Sequence, residues 1–323
     1  MENKERVCVT GAGGYVASWL VNLLLSDGYI VHGTLRDPCD QKNAHLKKLE
    51  NAEENLQLFK ADLLDYESLR AAISGCSGVF HVASPVPGRV VPYLEEEFVE
   101  PIVRGTRNVL NACKDTQVKR VVLVSTAGAV QVNPDWPKDQ AMDEQSWSNK
   151  ESCKATQNYY RLAKTIAESE ALDYGKKNGM SIVTLCPPVV IGPMLQPTLN
   201  SSSLLLLTLL KDGHETMEDN AYHVVDVRDV AEALLLTYKI PEAEGRYICS
   251  SYVVTMKVLV EIMRNKFPNY NYPGSFSEGK DDVKLSSQKL LSLGFKFRAL
   301  EDTIVDSVKT FEENGVLLKK IGF

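Results

Sequence analysis

The chain has 323 residues, 44% of them hydrophobic, and a formal net charge of −6. That length supports one large domain or two modest ones with a sizeable core, and the composition is that of a soluble globular protein. The acidic balance excludes nucleic acid and acidic membrane as main partners, because both require a basic surface, so any attraction for an anionic ligand must be local.

Seven cysteines stand at positions 8, 39, 76, 113, 153, 186 and 249, an odd number with no C-x-x-C pair, which suits a reduced, intracellular protein. No His/Cys spacing suggests a metal. The first six residues are charged and lack an apolar core, so no signal peptide is expected, and the leucine run 204–210 is too short to span a membrane. The expectation is a cytoplasmic protein, a monomer or weak homodimer, with no membrane or nucleic-acid partner.

Residues 7–10 form a short β-branched run, the mark of a buried strand. A glycine turn follows at once, and apolar residues then recur at Trp19, Leu20, Leu23 and Leu24 with a helical period. Asp27-Gly28 ends that helix and 29–34 reads as a second strand. Strand, glycine turn, helix, strand is half of a dinucleotide-binding fold. Gly11, Gly14 and Ala17 give the spacing G-x-x-G-x-x-A, and no Gly-Lys-Ser/Thr follows, so the turn is not a P-loop. A pyrophosphate approaches the backbone where a helix begins, drawn by free amides and the positive end of the helix dipole. The candidate contacts are Gly11, Gly13, Gly14, Tyr15 and Val16. The second strand ends Thr34-Leu35-Arg36. A cofactor with a free ribose 2′-hydroxyl wants an acid near this point, whereas Arg36 suits a 2′-phosphate and Lys42 lies close enough to add charge. Asp37 is the dissenting neighbour, but the geometry favours NADP(H).

Residues 55–60 read as a third strand, followed by Asp62 and Leu63 at the cofactor edge. Asp62 is either an acceptor for the adenine amino group or a turn aspartate. A helix covers 66–74. A fourth strand, 78–84, brings Ala83 and Ser84 to the crevice and runs into a loop with Pro85, Val86, Pro87 and Gly88. A long helix spans 94–113, with Pro101 placed to kink it. The fifth strand, 120–124, ends at Ser125-Thr126; 131–149 is polar loop, 158–175 amphipathic helix, and 181–186 a sixth strand stopped by Pro187-Pro188. Such alternation predicts an α/β fold, a Rossmann-type doubly wound parallel sheet. After 187 the pattern changes to irregular chain, a leucine-rich helix opened by three serines, a strand-then-helix at 224–238, a strand at 244–250, and helices at 255–266, 286–293 and 301–313. The reading is an NADP-binding domain at 5–186 with a return segment at about 222–249. A smaller, mixed C-terminal substrate lobe comprises 187–221 and 250–323. Pro187, Val189 and Val190 are cofactor-edge candidates. Val86, Gln131, Met194 and Leu195 are substrate candidates, with packing an equal alternative for the apolar ones. His81 and His223 read as packing or hydrogen-bonding residues.

Tyr160 and Lys164 form Y-x-x-x-K on a helix, and residues four apart share a helical face. A lysine beside a phenol lowers its pKa and makes it a usable proton donor near neutrality. Lys164 can also hold the nicotinamide ribose. Ser125 or Thr126, at the end of the fifth strand, can hydrogen-bond a substrate carbonyl, and the residue pattern alone leaves both open.

The glycine turn, the Ser/Thr strand end and Y-x-x-x-K together resemble an extended short-chain dehydrogenase/reductase, nearest to the plant cinnamoyl-CoA reductase and dihydroflavonol reductase family. Matching pieces include Phe80-His81-Val82-Ala83-Ser84-Pro85, Asp143-Glu144-Gln145-Ser146-Trp147-Ser148, Gly192-Pro193-Met194-Leu195-Gln196-Pro197-Thr198 and Val227-Arg228-Asp229-Val230-Ala231. The resemblance covers nearly the whole chain and implies an NADPH-dependent reductase of phenylpropanoid-type aromatic aldehydes or hydroxycinnamoyl-CoA thioesters, or of a dihydroflavonol or other ketone. It also implies Thr126 as the catalytic hydroxyl, since Thr126 aligns with the family's serine. Two departures stand out. Tyr160 lies in Asn158-Tyr159-Tyr160-Arg161-Leu162-Ala163-Lys164, where the family carries Asn-Trp-Tyr-Cys-Tyr-Gly-Lys. The histidine and lysine that the resemblance implies for coenzyme A users are replaced by Leu205 and Thr208. The chain is thus similar to reductase-like relatives, some of which reduce free aldehydes. An NAD-dependent nucleotide-sugar epimerase is disfavoured by Arg36, and a non-catalytic NADP sensor by the intact Tyr160 and Lys164.

Overall fold

The computed structural model describes residues 4–86, 95–211, 213, 215–280 and 282–318, without the side chains of 95–97. In chain order the first half runs β1 (Arg6–Val9), α1 (Tyr15–Ser26), β2 (Ile30–Leu35), a 3-10 segment (Gln41–Lys48), α2 (Ala52–Asn55), β3 (Leu56–Lys60), α3 (Tyr66–Ile73), β4 (Gly78–His81), α4 (Glu95–Asp115), β5 (Arg120–Val124), α5 (Lys150–Ala155), α6 (Tyr159–Asn178) and β6 (Ser181–Cys186). The second half runs β7 (Val189–Ile191), α7 (Ser201–Lys211), β8 (Thr216–Glu218), β9 (Ala221–Asp226), α8 (Val227–Lys239), β10 (Gly245–Ile248), β11 (Tyr252–Thr255), α9 (Met256–Lys266), β12 (Ser275–Ser277), α10 (Gln288–Leu291) and α11 (Leu300–Glu313).

Seven strands form one sheet in the order β10-β6-β5-β4-β1-β2-β3, and every pair in it is parallel. This is the doubly wound sheet expected from the alternation of strands and helices. Side chains alternate across each strand, so successive residues enter different cores. Val7, Val9, Phe80, Val122, Val183 and Leu185 face α1 and α8 in one core. Cys8, Val79, Val121, Leu123 and Ile182 face α3 and α4 in the other. Strands buried on both faces read as continuous apolar runs, which is why 120–124 and 181–186 were legible.

The second half is built differently. Pro187-Pro188 stops β6, and β7 starts a three-stranded mixed sheet in the order β11-β9-β7. The expected return of 222–249 to the main sheet is corrected in part. Within that stretch β10 pairs with β6, whereas β9 lies in the small sheet between β7 and β11. Leu206, Leu207, Leu209 and Leu210 of α7 and Ile304, Val308 and Phe311 of α11 belong to the same core as Val7 and Leu20, so lobe and sheet are welded by one apolar cluster. Several short elements went unread in the sequence: α2, α5, β7, β8, β11 and β12. The loop residues Pro87 and Gly88 lie outside the described residues.

Candidate active site

The carboxyl edge of the main sheet places the glycine turn beside the ends of β4 and β5. Gly11 has φ of +67°, and a Cβ there would sit 2.9 Å from the Cβ of Ala83. Glycine therefore lets the β1 turn pass directly against the loop after β4. Gly14 caps α1 without any side-chain hydrogen bond, so the first amides of α1 are left for a ligand. Gly13 is turned the other way, towards the Asn43 side chain. Tyr15 is buried, and its phenol donates to the Gly192 carbonyl at 2.8 Å, so its side chain braces the turn against the lobe.

A buried relay holds this edge together. The Thr10 hydroxyl accepts the Val82 and Ala83 amides at 3.0 Å each and meets His81 Nδ1 at 2.9 Å. His81 Nε2 lies 3.2 Å from the Thr106 hydroxyl, which donates to the Ile102 carbonyl. The assignment that satisfies every group has Thr10 donating to Nδ1 and Nε2–H donating to Thr106. Burial, helped by the Lys164 cation, lowers His81 to about 3, so the ring stays neutral. His81 is thus a hydrogen-bonding residue, as is His223, held between Ser250 and the Val283 carbonyl.

At the adenosine end, one oxygen of the Asp37 carboxylate accepts the Cys39 amide at 2.9 Å in a local turn. Arg36 is exposed at the end of β2, and its guanidinium meets no partner among the described residues. Lys42 is engaged with Asp40 at 2.7 Å. One oxygen of Asp62 accepts the Leu64 amide at 2.8 Å, the turn role, which leaves its second oxygen for a ligand. The Leu63 carbonyl accepts from Asn108, and Leu63 packs on Gly105 of α4. Among the described residues the first amides of α1, the Arg36 guanidinium and the second Asp62 oxygen have no partner, a donor and acceptor set that fits a 2′-phosphorylated dinucleotide.

At the end of β5 the two hydroxyls part company. Ser125 is buried and donates to Glu168 at 2.7 Å. Thr126 is half-buried, accepts the Gly128 amide at 3.1 Å and hydrogen-bonds the Tyr160 phenol. The strand alternation that buries Ser125 turns Thr126 to the open side. Asn158 caps α6 by accepting the Arg161 amide at 3.2 Å, which sets Tyr160 in the first turn. Lys164, one turn later, is buried and donates to the Val124 carbonyl at 2.7 Å.

One electrostatic expectation is overturned. Burial pushes the Tyr160 phenol up to about 12, and the hydrogen bond from Thr126 is what opposes it. The Lys164 ammonium is aimed at Val124 rather than at the phenol, so the spacing of four supplies a shared face but no lowering of the tyrosine. Lys164 itself is lowered to about 8 by burial, while Glu168 and Cys186 act in the opposite direction.

The substrate candidates scatter. Met194 is 5% exposed and belongs to the main core, so packing claims it. Leu195 is half-exposed, Val86 is exposed after β4, and Gln131 reaches Asp282 of the lobe at 3.4 Å. The Pro187 carbonyl accepts the Ala127 amide at 2.8 Å, and Val189 and Val190 lie in β7. Unread in the sequence were Thr10 and Glu168. Glu168 stands four residues after Lys164, a spacing that could have revealed it. Among the described residues no group of three or more His, Cys, Asp or Glu is placed to hold a metal ion, and no helix is long and apolar enough to cross a membrane.

Residues 7–249 match the NAD dependent epimerase/dehydratase family. Cinnamoyl-CoA reductase 1 of Petunia hybrida is 46% identical over 315 residues, 96% of this chain and 93% of that protein. The chain belongs to this family, in its cinnamoyl-CoA reductase branch. Among solved structures, vestitone reductase from alfalfa (Medicago sativa L.) superposes with a TM-score of 0.84 at 33% identity, covering 97% of this chain and all (100%) of that one. Yeast methylglyoxal/isovaleraldehyde reductase complexed with NADPH gives 0.81 at 27% identity, with 97% and 100% covered. These two reductases thus share the fold of this chain over nearly its whole length.

Proposed function

We propose that the chain is an NADPH-dependent carbonyl reductase acting on phenylpropanoid-type aromatic aldehydes or hydroxycinnamoyl-CoA thioesters, in the cytoplasm and as a monomer or weak homodimer. The observation that carries this is the Thr126–Tyr160 hydroxyl pair, on the sheet edge shared with the glycine turn and above a buried lysine. The 2′-phosphorylated cofactor is supported by Arg36 and by the relatives' chemistry. Gly11, Gly14 and the first turn of α1 would hold the pyrophosphate, Arg36 the 2′-phosphate, Asp62 the adenine amino group, and Lys164 the nicotinamide ribose.

When bound, NADPH supplies the hydride that reaches the carbonyl carbon. Thr126 turns its hydroxyl from Tyr160 to the carbonyl oxygen and fixes the substrate's orientation. Tyr160 gives its proton to that oxygen as negative charge develops there: an aldehyde becomes the alcohol, and a thioester becomes a hemithioacetal, whose C–S bond then breaks as the hydroxyl proton passes to sulfur, releasing aldehyde and the free CoA thiol. A phenol held at about 12 is fully protonated at neutral pH, and an alkoxide is a much stronger base than the phenolate left behind. Proton donation therefore needs no lowered pKa. It needs a neutral phenol, a hydroxyl beside it and a cation on the same helical face, and all three are present. NADPH oxidation against a panel of hydroxycinnamoyl-CoA thioesters, aromatic aldehydes and dihydroflavonols tests the reading. Turnover of the first two classes is expected, and exclusive turnover of dihydroflavonols would replace it with a ketone reductase.

A further inference from the structure

Beneath the reacting edge lies an ion pair with no part in the steps above. Glu168 of α6 is fully buried, and Arg246 of β10 is 5% exposed. Their closest approach, Arg246 Nε to Glu168 Oε1, is 2.8 Å. Glu168 also accepts from Ser125 at 2.7 Å, from Thr184 at 2.6 Å and from the Cys186 thiol at 3.3 Å. Arg246 donates further to the carbonyls of Ala129, Glu144 and Ser146 and lies 3.6 Å over the Trp147 ring. One carboxylate therefore gathers the ends of β5 and β6, and its partner ties in the loop from 129 to 147. An ion pair this deeply buried contributes little net stability, since desolvation offsets the attraction. Its position is more telling. Ser125 precedes Thr126, and Lys164 lies one helical turn from Glu168 on the same face.

We propose that Glu168 is a positioning residue of the reduction: paired with Arg246, it fixes Thr126 through Ser125 and supplies the negative charge that keeps Lys164 an ammonium. This rests on the reading of Thr126, Tyr160 and Lys164 given above. The other titratable groups facing Lys164 are His81 from β4, Cys186 from β6 and Tyr160 on its own helix. All three are neutral at working pH, since His81 is lowered to about 3 and burial raises the Cys186 thiol and the Tyr160 phenol. β5 offers Lys164 the Val124 carbonyl. Glu168 is thus the one carboxylate, among the described residues, that supports the Lys164 cation.

The sign follows directly. Lys164, lowered to about 8, carries its proton below that pH and loses it above. Without Glu168 the lysine falls further, so activity is lost at a lower pH. The test is the pH dependence of kcat for Glu168→Gln, with NADPH affinity measured alongside. The alkaline limb should move down by about 1 pH unit or more, as for removal of an adjacent opposite charge, with KM for the aldehyde little changed. Should Glu168→Gln fail to fold because Arg246 is left unpaired, the double variant Glu168→Gln/Arg246→Met removes both charges and carries the same expectation. A folded variant with an unmoved alkaline limb overturns the proposal. Tyr160→Phe run in parallel separates the two levels: if it keeps its turnover, the reading of the site fails first, whatever Glu168 does.

Discussion

The two walls of the crevice follow opposite rules. On the β5–α6 side nearly every polar group has a named partner: Ser125 on Glu168, Lys164 on Val124, Thr126 on Tyr160, Thr10 on His81. On the lobe side α7 is a leucine helix. Leu206, Leu207, Leu209 and Leu210 are buried, Leu204, Leu205 and Thr208 are partly covered, and Lys211 is drawn off to the Val316 carbonyl at 2.5 Å. The polar wall is a set of buried paired groups, so a change at one member is felt by its partners. The apolar wall acts by shape and by the charge it withholds. Reaction chemistry should therefore be fragile on the first wall, and substrate choice adjustable on the second.

The largest effect should come from Tyr160→Phe, which deletes the proton donor and keeps the ring. Turnover should fall on the order of 10²-fold or more, as for loss of a general acid, with NADPH affinity retained. Near-parental turnover would mean that another acid serves, Tyr159 being the neighbour to try. Next, Thr126→Val should cost roughly 10- to 100-fold in kcat/KM, while Thr126→Ser stays within a few-fold, because the hydroxyl and not the methyl reaches the carbonyl. Ser125→Ala should cost less than Thr126→Val. The reverse order would reassign the catalytic hydroxyl to the buried serine.

A smaller change is expected at the far end of the polar wall. Arg36→Asp replaces an unpartnered cation with an acceptor suited to a free ribose hydroxyl, so the ratio of NADPH to NADH efficiency should drop by about 10-fold or more. Equal ratios in parent and variant would make Arg36 a solvated surface residue and leave Lys42, already paired with Asp40, as the remaining cation.

The polar wall was also the more legible in sequence, for a physical reason. A pyrophosphate imposes glycine at fixed places, and a helix imposes the spacing of Tyr160 and Lys164, so backbone geometry is written into short motifs. The assignment of Thr126 over Ser125 needed strand alternation and a partner on another element; the spacing from Lys164 could single out Glu168, but its partners on β6 and β10 emerge only in the fold. The lobe was less legible. β7 is three residues between Pro188 and Gly192, too short for a period, and nothing local tells β9 which sheet offers a free edge. Met194 reads equally as pocket or core until its burial is known.

The smallest effect concerns substrate choice. Coenzyme A carries several phosphates, and an enzyme that uses it places cations at the pocket mouth. α7 has Leu205 and Thr208 where the resemblance implies a histidine and a lysine, and its own Lys211 is engaged elsewhere. Across the crevice, the stem of Arg161 rests on Gly128, and Lys150 and Lys154 sit on α5, so some positive charge remains on the polar wall. Exposed ion pairs contribute ~0.2–1 kcal/mol each, so losing one or two amounts to a modest factor rather than exclusion. Steady-state kinetics should accordingly give coniferaldehyde a kcat/KM about 3- to 10-fold above that of feruloyl-CoA. Raising the salt should widen the gap, because it screens the thioester's remaining ionic contacts and leaves the neutral aldehyde's binding alone. Placing a lysine on α7, as Thr208→Lys, should close it from the thioester side, through KM rather than kcat, because the phosphates bind alike in ground and transition states. A parent enzyme that already prefers the thioester would show that the polar wall's cations suffice and that α7 contributes packing alone.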